Sequence, residues 1–365
     1  LGNANTAFGY YEISGGSVTM NRLTLSTPST SGSGIFRQTG GTVNIGTWTT
    51  IGHGTGTSLL DLAGGVYNTG TNFAMGVDNA GSTSVVNVRG SAVFVAATGS
   101  TISLNRGDNT ARDNMTNALN LLTGGTIRSA LGGITNGTTS GATNNFVQLN
   151  LNGGTVTTRA ITVGTGTATA LADVNFNGGT LKAAAAGTFI TTSIDNLRVY
   201  AGGATIDSNG NNITIAEPIL APTGSGVVGV NSLVGGSGYL GAPFVEFSGD
   251  GTGATGYAVV DLDPASGTFG QVTGVVISNP GVGYTSAPTL TLVGGLGTGG
   301  VAATVMADAP VANASGGLTK TGIGTLTLSG TNTYSGGTNV NNGTLALGAN
   351  NVLADAGGVT IAADG

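Results

Sequence analysis

The chain has 365 residues, 69 of them glycine, with 39% apolar and only 7% charged positions. A net charge of −6 with 10 basic residues leaves no basic stripe to displace counterions from phosphates, which argues against nucleic acid as a partner. No apolar run reaches membrane-spanning length, the absence of cysteine excludes disulfides, and the glycines follow no Gly-X-Y period, which excludes collagen.

Thr, Val, Ile and Leu alternate with polar residues, and hardly any 12-residue window lacks a glycine or a β-branched cluster, so the elements expected are strands. Glycine doublets begin at Gly15, Gly40, Gly64, Gly124, Gly153, Gly178 and Gly202, spaced by 25, 24, 60, 29, 25 and 24 residues. The segment Arg89-Gly90-Ser91-Ala92-Val93 stands where the corner missing from the long gap belongs. One phrase organises the rest: Val147, Leu149 and Leu151 share a strand face, Gln148, Asn150 and Asn152 share the other, and Gly153-Gly154-Thr155-Val156 turns into the next strand. It recurs around Gly178-Gly179 and Gly64-Gly65.

A repeat of about 24 residues is too short for paired helices and fits one coil of a parallel β-solenoid, with three strands of about five residues joined at glycine corners. Before Gly202 the inward pair is Leu197 and Val199, one residue out of step, which predicts a bulge or shortened corner. The charged run Asn105–Asp113 reads as a loop leaving the solenoid.

From about Pro222 the period changes. Gly238-Tyr239-Leu240-Gly241-Ala242-Pro243 returns 45 residues later as Gly283-Tyr284-Thr285-Ser286-Ala287-Pro288, each followed by a strand and a Gly-Thr-Gly turn. This defines an inserted tandem β-unit over 222–311, between solenoid segments 1–221 and 312–365. Its phrase resembles Gly-Tyr-x-x-Ala-Pro repeats of bacterial surface and phage structural proteins.

The last segment reads Gly317-Leu318-Thr319-Lys320-Thr321-Gly322-Ile323-Gly324-Thr325-Leu326-Thr327-Leu328-Ser329-Gly330, then Asn332-Thr333-Tyr334-Ser335-Gly336-Gly337-Thr338 and Asn342-Gly343-Thr344-Leu345. It resembles the autotransporter-associated β-strand repeat. The resemblance implies a right-handed β-helix in a secreted bacterial passenger or giant surface protein. Residues 1–215 follow the style of the repeat without its Leu-Thr-Lys-x-Gly phrase, and the family's membrane barrel is not in this sequence.

Chemical motifs are sparse. Gly-x-Gly-x-x-Gly spellings start at Gly224, Gly236, Gly251 and Gly295, as chance predicts at this glycine content, and none opens a helix after a strand. His53 is the one histidine, read as an exposed corner residue. Asp61, and Asp173 or Asn175 on a later coil, face outward by alternation and are read as a solvated face. Asp250, Asp261 and Asp263 are weighed as a calcium set, and Trp48, Tyr10, Tyr11 and Tyr67 as a sugar-stacking stripe; both are set aside, so no metal, cofactor or catalytic residue is assigned.

The chain opens at Leu1-Gly2-Asn3 and stops after Val359-Thr360-Ile361 in mid-phrase, without a visible cap or signal peptide. Either it is a fragment of a longer protein, or its ends pair with neighbours. Uncovered solenoid ends template further strands, so Leu1, Phe8, Tyr10, Val359 and Ile361 are the expected subunit interface. The leading expectation is a non-enzymatic structural subunit of an extracellular filament, a homopolymer without cofactor. The alternative is an autotransporter-like adhesin binding a surface glycan or host surface, and a polysaccharide lyase or depolymerase ranks third.

Overall fold

The computed structural model describes residues 1–2, 7–27, 31–77, 81–106, 114–136, 143–163, 169–230, 236–295, 304–354 and 357–362. Most of the charged run, 107–113, lies outside them. The described residues are all-β, and two large parallel sheets of nine and nineteen strands form a parallel β-solenoid. The nine-stranded sheet is one column of stacked strands, running from Phe8–Ile13 through Ser33–Gln38, Thr57–Leu62, Thr83–Val88 and Thr116–Leu122 to Ile219–Leu220. The nineteen-stranded sheet holds two further columns, because the long strands Ser17–Leu25 and Thr42–Ile51 each span both. Several strands of the third column, such as Ile102–Ser103 and Ile134–Thr135, have only two residues.

Alternation fixes which side of each strand meets the interior. Phe36, Leu60, Val86, Leu119, Leu149, Val174 and Leu197 stand one above another in register and are buried in a single core. Aromatic rings fill the wide first coils, with Tyr11 stacked on Phe36 at 5.2 Å and Tyr67 on Phe94 at 5.9 Å.

Glycine sits at the corners because neighbouring corners touch through their backbones. Gly65 has φ +77°, and a Cβ there would lie 2.3 Å from the Gly41 carbonyl oxygen, which accepts the Val66 N–H at 2.9 Å. Gly154 repeats this, with the Gly125 oxygen 2.4 Å from its would-be Cβ and accepting from Thr155 at 3.0 Å. A side chain there would displace the hydrogen bond that joins two coils.

The Arg89–Val93 segment is the expected corner: Val93 pairs with Val66 on one side and Thr126 on the other. The predicted slip near Gly202 has a different form. Leu197 and Val199 remain in register with Val174 and Phe176, and the corner after them is lengthened, not shortened. The longer corner lets buried Tyr200 lean outward, its hydroxyl donating to the Gly281 oxygen at 3.4 Å.

Between Leu220 and Leu318 the chain makes an excursion of antiparallel strands. Phe244–Ser248, Thr289–Val293 and Thr304–Met306 form one sheet, and Thr255–Val260 pairs with Val272–Asn279. Tyr239 and Tyr284, the tyrosines of the two repeats, are both buried in its core. The coils then resume as if nothing had intervened: Leu318 stacks on Ala204 and Leu326 on Ile213. The neck closes on itself, with Ser225–Gly226 paired to Val311–Ala312 and Asn313 N donating to the Gly224 oxygen at 2.9 Å.

The excursion lies against the outer side of the nine-stranded sheet. Ile35, Leu59, Val85 and Ala118 form an outward apolar row covered by Phe244. Replacing residues 225–312 with a short Gly-Ser linker should therefore leave a folded parallel solenoid with an uncovered apolar face. Far-UV circular dichroism should keep its β spectrum while dye binding to apolar surface rises and the melting temperature falls by several degrees. A random-coil spectrum would show that the solenoid does not fold without the module.

Candidate functional site

The densest polar arrangement among the described residues lies on the outer side of the nine-stranded sheet, beneath the module. Stacking places Glu12, Arg37, Asp61, Asn87, Asn120, Asn150, Asn175 and Arg198 in one continuous row. Within it Asn120 donates to Asn87 at 2.9 Å, Asn150 to Asn120 at 2.8 Å and Asn175 to Asn150 at 2.9 Å. Asn120 and Asn150 each give to the coil below and accept from the coil above, as in stacked asparagine ladders. The module completes the row from above: Asn279 donates to Asn150 at 2.7 Å and to Gln148 at 3.2 Å, and Thr255 and Ser278 share a 2.8 Å bond over the ladder.

Asp61 and Asp173 do face outward, but the solvated face expected for them is corrected here. They are only 2% and 4% exposed. Asp61 accepts from Arg89 Nε at 2.9 Å and Nη2 at 2.8 Å, and Arg37 Nε stands 3.5 Å away as an ion pair without hydrogen-bond geometry. Arg89 in turn lies 4.8 Å from the Tyr257 ring centre, fixing the module's hairpin to the sheet.

Beside the ladder, sheet and module stand apart. Two adjoining cavities, of about 380 and 340 Å³, share Thr116, Phe247 and Ala254 in their walls. Phe146 and Tyr284 line the first and Glu246 the second. Burial raises the Glu246 carboxyl above its usual range.

Other candidates are dispersed. Tyr67 is buried in the core, Tyr11 is exposed and stacks on Phe36, Tyr10 packs under the module and Trp48 is covered by the Arg106 guanidinium at 4.2 Å, so they form no sugar-stacking stripe. His53 is 9% exposed and buried, contrary to the exposed corner expected. Asp250 pins Thr285 and Ser286, whereas Asp261 and Asp263 accept N–H groups of their own turn; no three such groups converge among the described residues.

Of the expected interface residues, Leu1 packs on the core and its amino group donates to Thr24 O at 2.9 Å. Phe8 and Tyr10 point sideways, against Phe244 and Val293 of the module. Val359 and Ile361, 51% and 65% exposed, lie on a strand paired on one side only, over Thr338–Val340. With Leu345, Leu347 and Leu353 they border a cavity of about 360 Å³.

Lys320, which alternation turns inward above Ile206, is fully buried. Its ammonium donates to three carbonyl oxygens at the corner, Thr321 at 2.8 Å, Gly322 at 2.6 Å and Asn342 at 2.9 Å. A Cβ on Gly343 would lie 2.9 Å from its Nζ, so the Leu-Thr-Lys-x-Gly and Asn-Gly phrases describe one clamp between successive coils. Desolvation lowers its pKa. Residues 318–347 match the model of the passenger-associated-transport-repeat family. No curated protein and no solved structure matches the chain. Residues 318–347 thus carry a passenger-associated repeat, which supports a passenger-like protein, secreted or held at the cell surface.

The far end of the ladder closes on Asp173, which accepts from Arg198 at 2.6 Å and Asn196 at 2.7 Å. Burial nevertheless raises its pKa, with Arg198 opposing the shift. Its contribution to stability is therefore complete below the ordinary carboxylate value and declines as pH rises through the folded-state value. Removing the cation by Arg198→Met should deepen that decline, costing about 3 kcal/mol at pH 7 by the usual penalty for an unpaired buried charge. The loss should be smaller at pH 4, where Asp173 is more protonated. Denaturant titration at both pH values checks this, and equal losses would contradict it.

Proposed function

We propose that the chain is a structural segment of an extracellular bacterial filament or surface fibre, built by adding coils head to tail. The observation that carries the reading is the junction across the module. Leu318 stacks on Ala204 in the same parallel register that joins sequential coils, although more than a hundred residues separate them. A coil is accepted because its glycine corner and inward apolar residues match, whatever the route of the chain between. A coil from a second copy meets the same requirement, and the repeat at 318–347 fits export as a passenger.

In this reading the backbones of Phe8–Ile13 and Ser17–Leu25 at one end and of Val359–Ile361 at the other supply the contact, Val359–Ile361 ending the column that Ser17–Leu25 begins. Leu1, Phe8 and Tyr10 lie near the first end and Val359 and Ile361 at the second. Repetition of a heterologous contact that does not close yields an open fibre. The proposal assigns the chain no reaction, cofactor or metal, and its partner is another copy of itself.

Electron microscopy of the purified chain across a concentration series should show fibres that lengthen with concentration, and Ile361→Lys should shorten or abolish them. Monomers persisting at the highest concentration would contradict the proposal.

A further inference from the structure

The two adjoining cavities between sheet and module have features that the structural role does not use. Their floor is a straight row, because Thr83, Thr116, Phe146 and Leu171 occupy one register position on four successive strands. At about 4.8 Å per step the row extends about 14 Å along the solenoid axis. The hydroxyls of Thr83, Thr116 and Thr291 make no bond to another described residue. Nor does Glu246, a half-buried carboxylate facing the same space and the only charged lining residue among those described. Phe146, Phe247 and Tyr284 add aromatic surface.

We propose that this groove binds a short stretch of a linear, neutral polysaccharide, with Glu246 accepting hydrogen bonds from sugar hydroxyls. Each wall fits that chemistry. Anions are disfavoured, since the single charged residue among the described lining is acidic. A polyhydroxylated chain uses the threonine hydroxyls as donors and acceptors, while its C–H faces lie on the aromatic rings. A carboxylate bonded by hydroxyls forms charge-assisted hydrogen bonds that are strong for their size. A sugar unit in an extended β-1,4-linked chain is about as long as one coil step, so successive units meet successive strands. With Glu246 as the single carboxylate among the described lining residues, the proposal is one of binding, since glycoside hydrolysis uses two. The inference does not depend on filament formation.

The test is isothermal titration of the full chain with cellotetraose, with tetra-N-acetylchitotetraose and with maltotetraose, whose α-linked chain curves. The expected result is millimolar or tighter binding of at least one β-linked tetrasaccharide and at least tenfold weaker binding of maltotetraose. Glu246→Gln should weaken binding at least tenfold without moving the melting temperature, and Thr116→Met, which fills the space shared by both cavities, should do the same. Absence of binding by all three sugars at 10 mM would overturn the proposal. So would binding that neither variant changes, or equal binding of the curved sugar. Fibres formed by a protein that binds no sugar would leave the filament reading intact and sink this one alone.

Discussion

The structure depends on backbone contact between the corners of successive coils. Where Gly65 meets Gly41, and Gly154 meets Gly125, a carbonyl occupies the place a Cβ would take and accepts the next coil's N–H. This contact sets the register, and the register sets everything above it. Once corner lies over corner, inward positions coincide as a column of Leu, Val and Phe, and outward positions coincide as a column of their own. The consequence is that a residue type placed at one offset becomes a ladder. Asparagine two positions after the outward apolar row yields the Asn87–Asn120–Asn150–Asn175 chain of amide bonds.

Such a ladder buried on the outside of a sheet would leave amides unsatisfied without a cover. The module supplies the cover and partners as well: Asn279 for Asn150 and Gln148, Phe244 for the apolar row and Tyr257 for Arg89. The ladder's ends are ionic, with Arg37 and Arg89 around Asp61 and Arg198 on Asp173. Buried pairs of this kind contribute less to net stability than to fixing one arrangement, since either partner left alone is costly. The module is thus seated by polar matching at the ladder and by apolar contact beside it, and the groove is the space where the two surfaces do not meet.

Much of the solenoid was legible because its signal is periodic. Gly-Gly doublets gave the corners, the gap between Gly64 and Gly124 resolved at Arg89–Val93, and alternation correctly turned Leu149 inward and Asp61 outward. What alternation cannot tell is what lies over an outward face. The cover arrives from 222–311, far along the chain, so Asp61 and Tyr10 were both read as if nothing lay on them. The slip at Gly202 was visible but its sense was not: a local count shows one residue out of step, while only tertiary contact of Tyr200 with the module explains why the corner is longer. The recurrent Asn between two apolar residues at 87, 120, 150 and 175 was the available sign of the ladder. Lys320 likewise looked like one letter of a phrase until three carbonyls converged on it.

The central claim is that coils stack by matched register even across an excursion of the chain. Because the protein has no cysteine of its own, a designed disulfide reads that register directly. Thr205 and Thr319 are paired across the junction, at a separation of about 4.8 Å that a disulfide spans. Oxidised Thr205→Cys/Thr319→Cys protein should therefore form an intramolecular link almost completely, and the offset pair Thr205→Cys/Thr321→Cys far less. Equal linkage of both pairs, or none in either, would contradict the account.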